Sequence, residues 1–219
     1  MKSGFLFDLD GVIVDTAKYH YIAWRYIANK SGFDISEKFN EELKGISRME
    51  SLDKILDYGH QSDILSPEEK STLADEKNDY YVNLLGELSE NNILPGFRDF
   101  IIRANKLNIP CAVASASRNA PFILKKLNIE KYFKSVVDPA LLTNGKPDPE
   151  IFLKAASSIN VQPQDAIGFE DAQSGITALK SAGIFSVGVS GDKSLLTGAD
   201  LIISSFEDVT PEYVLKTKQ

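Results

Sequence analysis

Short apolar runs alternate with amphipathic segments along much of this chain. The first run, Phe5-Leu6-Phe7, is apolar at every position, which is typical of a strand that a parallel sheet buries on both faces. Similar runs predict further strands at residues 111–114, 135–137, 166–169, 186–189 and 201–203. Helical spacing fills the intervals between them, as it does over residues 97–107, 150–159 and 174–182. This repetition predicts an α/β fold whose core is a doubly wound parallel sheet with right-handed crossovers.

The segment that follows the first strand has a different pattern. From Tyr19 to Leu56, apolar residues recur at three- and four-residue spacing, which predicts two helices and no strand. A third helix is predicted to begin at Ser66-Pro67-Glu68-Glu69, because the serine can cap it, proline suits its first turn, and the second glutamate can bond back to the cap. We therefore expect an all-helical domain inserted into the core domain. The expected bounds are 15–90 for the insert and 1–14 with 91–219 for the core.

Composition and charge narrow the classes of protein to which the chain can belong. It has 219 residues, of which 43% are hydrophobic, and its net charge of −7 argues against broad binding of nucleic acid or of anionic membranes. The single cysteine, Cys111, lies in an apolar run and is expected to be buried, so neither a disulfide nor a thiolate zinc cluster is expected. No apolar run reaches the ~18 residues that span a bilayer. We expect a cytoplasmic protein.

Two carboxylates stand directly after the first strand, in Asp8-Leu9-Asp10-Gly11. Residues i and i+2 of an extended chain point the same way, so one of these carboxylates could attack a substrate while the other moves protons. A solvated turn is the alternative explanation.

Three other motifs follow later strands. Ser115-Ala116-Ser117 could meet a phosphate with its hydroxyl and N–H groups, although a serine that caps the next helix explains it equally well. Lys146 lies in Gly145-Lys146-Pro147-Asp148-Pro149, where the prolines stiffen the chain around a cation that could hold an anion, and a plain turn lysine is the alternative. Glu170 and Asp171 offer hard oxygen ligands that suit Mg²⁺, unless they only complement a helix N-terminus.

Taken in order, these four motifs resemble those of the haloacid dehalogenase superfamily, and the resemblance spans nearly the whole chain. It implies that Asp8 is the nucleophile and a covalent phosphoryl carrier, and that Asp10 is the general acid and base. It implies that Ser115 and Lys146 hold the transferring phosphoryl oxygens. The implied Mg²⁺ ligands are Asp8, the Asp10 carbonyl, Glu170 and Asp171.

The helical insert resembles the cap of one branch of this superfamily. Residues 15–24 and 43–52 are similar to the cap signature of the β-phosphoglucomutase family, and Lys44 to Ser51 offer cations, hydroxyls and a glycine that suit a second phosphate. A solvated helix-loop-helix turn is the alternative. The resemblance places Arg48 on the distal phosphate with help from Ser117 and Asn119, and His20 and Lys77 toward the sugar or the acid/base carboxylate. Arg118 stands where the family's motif carries a lysine. The substrate-binding residues implied in all are Thr16, His20, Lys44, Gly45, Arg48, Ser51, Lys77, Ala116, Ser117 and Asn119.

The implied reaction interconverts β-D-glucose 1-phosphate and D-glucose 6-phosphate through phospho-Asp8 and β-glucose 1,6-bisphosphate. Mg²⁺ is the implied cofactor, and the bisphosphate is the activating intermediate. Small sugar phosphates are the expected partners of an expected monomer, with neither nucleic acid nor a membrane. A sugar-phosphate phosphatase on the same scaffold, or a sugar-phosphate sensor without catalysis, are the alternatives.

Overall fold

The computed structural model describes residues 3–62 and 64–218. These residues form two compact units, one from Thr16 to Glu87 and the other from the residues up to Asp15 together with those from Leu88 onward. None of the helices in the described ranges has the length and apolarity needed to cross a bilayer.

The larger unit is built on a six-stranded parallel sheet, as the sequence predicts. Its strands are β1 (Gly4–Phe7), β2 (Cys111–Val113), β3 (Ser135–Val136), β4 (Ala166–Glu170), β5 (Phe185–Val189) and β6 (Leu201–Ile203). Their order across the sheet is β3-β2-β1-β4-β5-β6, and all neighbouring strands run parallel. The prediction of an α/β fold with a doubly wound parallel-sheet core is therefore confirmed.

Strand β1 is apolar throughout because both faces of the sheet are covered. On one face Phe7 stacks on Phe169 of β4 with ring centroids 4.7 Å apart, and Phe5 packs against Phe100 at 5.7 Å. On the other face Leu6 belongs to a buried cluster with Phe152 and other apolar side chains. Cys111 is fully buried, as expected. In the part of the chain that the structure describes, the α-helices that accompany the sheet are Phe97–Lys106, Ala120–Lys126, Glu150–Ser158, Gln173–Ser181 and Pro211–Thr217.

The described residues of the smaller unit form four α-helices and no strand. The helices are α1 (Ala17–Lys30), α2 (Glu37–Glu41), α3 (Arg48–Tyr58) and α4 (Pro67–Leu84). Helix α4 begins where predicted: the Ser66 side chain accepts from the Glu69 N–H at 3.3 Å, and the Glu69 carboxylate accepts from the Ser66 N–H at 2.8 Å. It is the fourth helix rather than the third, because α2 has only five residues and is too short to show a helical period. A buried cluster around Trp24, Ile27, Leu52 and Ile55 holds the unit together.

Candidate active site

The central position of β1 determines where a ligand is expected. Strand β1 pairs with β2 on one side and with β4 on the other. The strands β2 and β3 therefore extend the sheet in one direction from β1, and the strands β4 to β6 extend it in the other. Open parallel sheets bind ligands beyond the carboxyl ends of the strands at such a switch point. Asp8 follows β1 directly, Ser115 lies two residues after β2, and Glu170 ends β4. The strand order thus brings three predicted site residues together at the carboxyl ends of neighbouring strands.

Asp8 is a buried carboxylate that is fixed at both ends. Its N–H donates to the Phe169 carbonyl at 3.0 Å, which continues the β1–β4 pairing beyond the strand. Its Oδ1 accepts from the ammonium of Lys146 at 2.6 Å, and only 5% of the residue is exposed. Because the Asp8 carboxylate is already fixed, little conformational entropy is lost when it is aligned with a phosphorus atom.

Lys146 joins two buried carboxylates that lie far apart in the sequence. Its ammonium donates to both Asp8 and Glu170, and it lies 4.9 Å from the centre of the Phe152 ring. Burial by itself would lower the pKa of Lys146, but the charges of Asp8 and Glu170 outweigh burial and raise that pKa above its usual value. The lysine therefore remains charged, and it stands where it can meet an anion at Asp8.

Glu170 is completely buried, and the space for its carboxylate depends on a glycine. Its Oε2 accepts from the Ala172 N–H at 2.9 Å, while Lys146 contacts its other oxygen. Burial raises the pKa of Glu170, Lys146 opposes this shift, and the Asp8 charge adds to it. A Cβ at Gly175 would overlap this carboxylate, far inside the 3.0 Å that Cβ atoms respect. Gly175 is thus needed for the position of Glu170.

A second glycine makes room for Asp171. Gly11 lies in the turn that follows Asp8, has a φ of +78°, and donates its N–H to the Val14 carbonyl at 2.8 Å. A Cβ at Gly11 would overlap the Asp171 carboxylate. Asp10 precedes this glycine and forms a β-bridge with Val14. The Asp171 carboxylate therefore lies beside the backbone of the turn that follows Asp10.

The donor set at this edge fits a small divalent cation, although the described residues contain no ready group of three metal-ligating side chains. The ammonium of Lys146 lies between Asp8 and Glu170 instead. One buried ammonium is thus shared by two buried carboxyl groups, and Asp171 lies close to the turn after Asp8. Hard oxygen ligands with an excess of negative charge are what Mg²⁺ prefers. The set of Asp8, the Asp10 carbonyl, Glu170 and Asp171 remains a prediction.

The loop after β2 presents hydroxyl groups. Ser115 is 1% exposed, and its Oγ accepts from the Ser117 N–H at 3.1 Å. The Ser117 Oγ in turn accepts from the Asn119 N–H at 3.3 Å, just before the next helix begins. A hydroxyl that accepts in this way keeps its own proton for another acceptor, such as a phosphate oxygen. Ala116 lies half-buried in the same loop, and Arg118 is exposed.

In the helical unit, two predicted residues contact each other. The Lys77 ammonium lies 2.9 Å from His20 Nδ1, and it sits over the rings of Trp24 at 4.4 Å and Tyr81 at 4.6 Å. Burial, together with the charges of Lys77 and Arg48, holds the pKa of His20 well below its usual value. His20 is therefore neutral near pH 7, and its Nδ1 can accept a hydrogen bond from the Lys77 ammonium.

Arg48, the first residue of α3, is fixed by α4. Its guanidinium donates to the Asn78 side chain at 2.8 Å and approaches the Asp75 carboxylate at 3.4 Å. Lys44 pairs with Glu41 at 2.7 Å on the surface. Such surface pairs contribute only ~0–1 kcal/mol, so Lys44 can leave Glu41 for a phosphate at little cost.

The other predicted residues of this unit are buried or lie in the turn before α3. The Ser51 hydroxyl is buried and donates to the Ser47 carbonyl at 2.9 Å. Thr16 is fully buried ahead of α1. Gly45 has a φ of +75°, which allows the turn before α3. Their roles in binding remain predictions.

Some residues of the two sites were not predicted from the sequence. Trp24, Tyr81 and Asn78 contact Lys77 or Arg48, and Gly11 and Gly175 make room for the acids. Tyr81 lies four residues after Lys77 on one helix, so helical spacing could have identified it. The glycines carry no such signal, because only the folded chain shows what lies opposite them.

Comparisons with known proteins agree with this geometry. The family described as haloacid dehalogenase-like hydrolase matches residues 2–183. The β-phosphoglucomutase of Bacillus subtilis is 45% identical over 207 residues, which cover 94% of this chain and 91% of that protein. A crystal structure of β-phosphoglucomutase from Clostridium difficile superposes with a TM-score of 0.96 at 49% identity, covering 100% of this chain and 97% of that one. The phosphorylated carbohydrates phosphatase of Thermotoga maritima is 32% identical over 82% of this chain and 81% of that protein.

Proposed function

Because the chain belongs to the haloacid dehalogenase-like hydrolase family, we propose that it is a phosphotransferase that interconverts β-D-glucose 1-phosphate and D-glucose 6-phosphate. One observation carries this choice within the family. The similarity to β-phosphoglucomutases extends over nearly the whole chain, so it includes the helical unit as well as the sheet. In a fold that hosts many substrates, residues outside the shared core decide which one is bound.

In the proposed reaction, Asp8 carries the phosphoryl group between two positions of the sugar. The C6 hydroxyl oxygen of glucose 1-phosphate attacks the phosphorus of phospho-Asp8, the Asp8–phosphorus bond breaks, and Asp10 takes the hydroxyl proton. The resulting β-glucose 1,6-bisphosphate then turns around. Asp8 attacks the phosphorus at C1, and Asp10 returns the proton to the leaving oxygen. Glucose 6-phosphate is released and phospho-Asp8 is restored.

The neighbouring residues provide what phosphoryl transfer needs besides an aligned nucleophile, namely donors for the three equatorial oxygens. Lys146 already contacts the Asp8 carboxylate at 2.6 Å, which supports its assignment to a transferring oxygen. The Ser115 hydroxyl retains a proton that it can donate. Mg²⁺, held by Asp8, the Asp10 carbonyl, Glu170 and Asp171, would neutralise negative charge on the phosphoryl group.

The helical unit is proposed to hold the phosphate that does not react. Arg48 is supported by Asn78 and Asp75, which orient a guanidinium that can bind phosphate with two parallel hydrogen bonds. Lys44 and Gly45 lie just before it in the chain. The family resemblance also assigns Ser117 and Asn119 to this phosphate. His20 and Lys77 are proposed to contact the sugar. Binding energy from these remote groups would be used to align the reacting phosphate.

One product assay separates this function from its alternatives. Protein is mixed with β-glucose 1-phosphate, Mg²⁺ and a trace of β-glucose 1,6-bisphosphate, and both glucose 6-phosphate and free phosphate are followed. We expect glucose 6-phosphate at a rate far above phosphate release, and we expect neither product from Asp8→Asn.

The other outcomes each select a different function. Free phosphate as the main product would indicate a sugar-phosphate phosphatase, the activity named for the Thermotoga maritima relative. Binding without either product would indicate a sensor.

A further inference from the structure

The loop that carries Lys146 is exposed both before and after this residue, but Lys146 itself is buried. Thr143, Asn144 and Gly145 are exposed, whereas Lys146 is only 2% exposed. The loop spans residues 142–149, between a short 3₁₀ turn and the helix Glu150–Ser158. An exposed loop is ordinarily one of the more mobile parts of a protein, but this one must hold an ammonium group within hydrogen-bond distance of Asp8.

Glu150, the first residue of that helix, binds the loop at two points just ahead of the lysine. Its Oε2 accepts from the N–H of Thr143 at 2.8 Å and from the N–H of Asn144 at 2.9 Å. Its other oxygen, Oε1, pairs with Lys154 at 2.8 Å. Lys154 also donates to the carbonyl of Leu141 at 2.5 Å, where the loop begins. One carboxylate thus binds the backbone N–H groups of the residues two and three positions before Lys146.

The other arm of the loop is tied to the same place. The Glu150 N–H donates to the Asp148 carboxylate at 2.9 Å, and the Asp148 N–H donates to the Gly145 carbonyl at 2.9 Å. The helix that Glu150 begins also carries Phe152, whose ring lies beside the Lys146 ammonium. A carboxylate oxygen can accept from two N–H groups at once, so one side chain is enough to hold both backbone positions. Lys154 first, then the N–H of Asn144, lower the pKa of Glu150, so its charge is retained near neutral pH.

We propose that Glu150 is a positioning residue for phosphoryl transfer, which fixes the loop so that Lys146 points at the Asp8 carboxylate. This inference rests on the proposed function, because it assigns Glu150 to the same reaction. Glu150 itself contacts no reacting atom. The competing explanation is that Glu150 only complements the N-terminus of its helix, as acids in a first helical turn often do. In that case its loss would affect stability and would be independent of Lys146.

Three variants of Glu150 distinguish the effect of side-chain length from the effect of side-chain charge. Glu150→Ala removes both backbone contacts. Glu150→Gln keeps an oxygen that can accept from two N–H groups while losing the ion pair with Lys154, and Glu150→Asp keeps the charge on a shorter side chain. Glu212→Ala is the matched control, because Glu212 pairs with Arg103 on the surface of the same unit.

The measured quantity is the single-turnover rate at which acetyl phosphate phosphorylates Asp8, together with the melting temperature. A misplacement of about 1 Å can reduce a rate by ~10²-fold, so we expect a loss of at least about tenfold for Glu150→Ala and for Glu150→Asp. We expect Glu150→Gln and Glu212→Ala to stay within about threefold of the wild type, because an exposed ion pair contributes little. Wild-type rates in Glu150→Asp with a tenfold loss in Glu150→Gln would overturn the inference.

A double-mutant cycle with Lys146→Ala tests whether Glu150 acts through the lysine. If it does, Glu150→Ala lowers the rate of the Lys146→Ala protein by less than about twofold, although it lowers that of the wild type at least tenfold. Equal losses in both backgrounds would overturn the inference. If an alanine variant does not fold or is too slow to measure, the Gln and Asp variants decide. A wild-type protein that forms no phospho-Asp8 would refute the proposed function as well, whereas an additive cycle on an active wild type refutes only the role of Glu150.

Discussion

Replacement of Gly175 by alanine should lower activity strongly while reducing stability only moderately. Gly175 lies in the helix Gln173–Ser181, where alanine is favoured over glycine by ~1 kcal/mol. The added Cβ, however, would overlap the Oε1 and Cδ atoms of Glu170. Glu170 is fully buried and is held by Lys146 and by the Ala172 N–H, so turning its carboxylate away would break these contacts.

The structure allows the two effects of this substitution to be compared. Restoring an ordinary contact of 3.4 Å requires the carboxylate or the helix to move by ~1 Å or more. Overpacking of this kind costs ~1–3 kcal/mol, and the gain in helix propensity offsets ~1 kcal/mol of it. The net loss in the free energy of unfolding should then be ~0–2 kcal/mol. A displacement of ~1 Å in an active site, by contrast, can lower turnover by ~10²-fold.

Denaturant unfolding and the formation of glucose 6-phosphate test both parts of this prediction. Gly191→Ala is the matched control, because a Cβ there meets nothing within 4 Å, and it should change stability by less than ~0.5 kcal/mol. We expect Gly175→Ala to lose at least about a hundredfold in turnover, with a loss of no more than ~2 kcal/mol in the free energy of unfolding. Turnover like that of the wild type in folded Gly175→Ala would show that the position of Glu170 is not important for the reaction.

Three further predictions follow from the same geometry. Arg48→Ala should lower mutase turnover at least about tenfold but should change the phosphorylation of Asp8 by acetyl phosphate much less, because that donor has no distal phosphate; equal losses would contradict its role. Asp10→Ala should lower turnover by ~10²–10⁴-fold with Mg²⁺ affinity measured by calorimetry largely retained, and an unchanged turnover would remove Asp10 from acid–base catalysis. The lowered pKa of His20 means that the unfolded chain binds a proton which the folded chain does not, so the free energy of unfolding should fall as the pH drops below ~6.5, by up to ~1.4 kcal/mol per pH unit. His20→Asn should flatten this part of the stability profile, and an unchanged slope would contradict the assignment.

The hydrophobic pattern was sufficient to predict the strands and the place of the acids. Each predicted strand overlaps an observed one, and Asp8 and Glu170 lie at strand ends, because buried parallel strands appear in the sequence as continuous apolar runs. The capping box at Ser66 was equally informative, since its contacts are local. The short helix Glu37–Glu41 could not be found in this way, because five residues do not complete two turns.

The contacts that join distant segments could not be derived from the pattern. The ammonium of Lys146 bridges Asp8 and Glu170, but a sequence does not show which strands are neighbours, and this bridge depends on β1 lying beside β4. The spaces that Gly11 and Gly175 leave for acids follow from the same packing. The support of the Lys146 loop by Glu150 also appears only when the loop closes on the start of its helix.

The most direct test of the covalent mechanism is intact-mass spectrometry. The protein is mixed with β-glucose 1,6-bisphosphate and Mg²⁺, the reaction is quenched rapidly, and the mass of the protein is measured. We expect one phosphoryl group on the wild-type protein, located by peptide mapping to the segment that contains Asp8. We expect none on Asp8→Asn, whose folding is checked by circular dichroism. Mutase turnover without any phosphorylated protein, or a phosphoryl group on a different residue, would contradict the account.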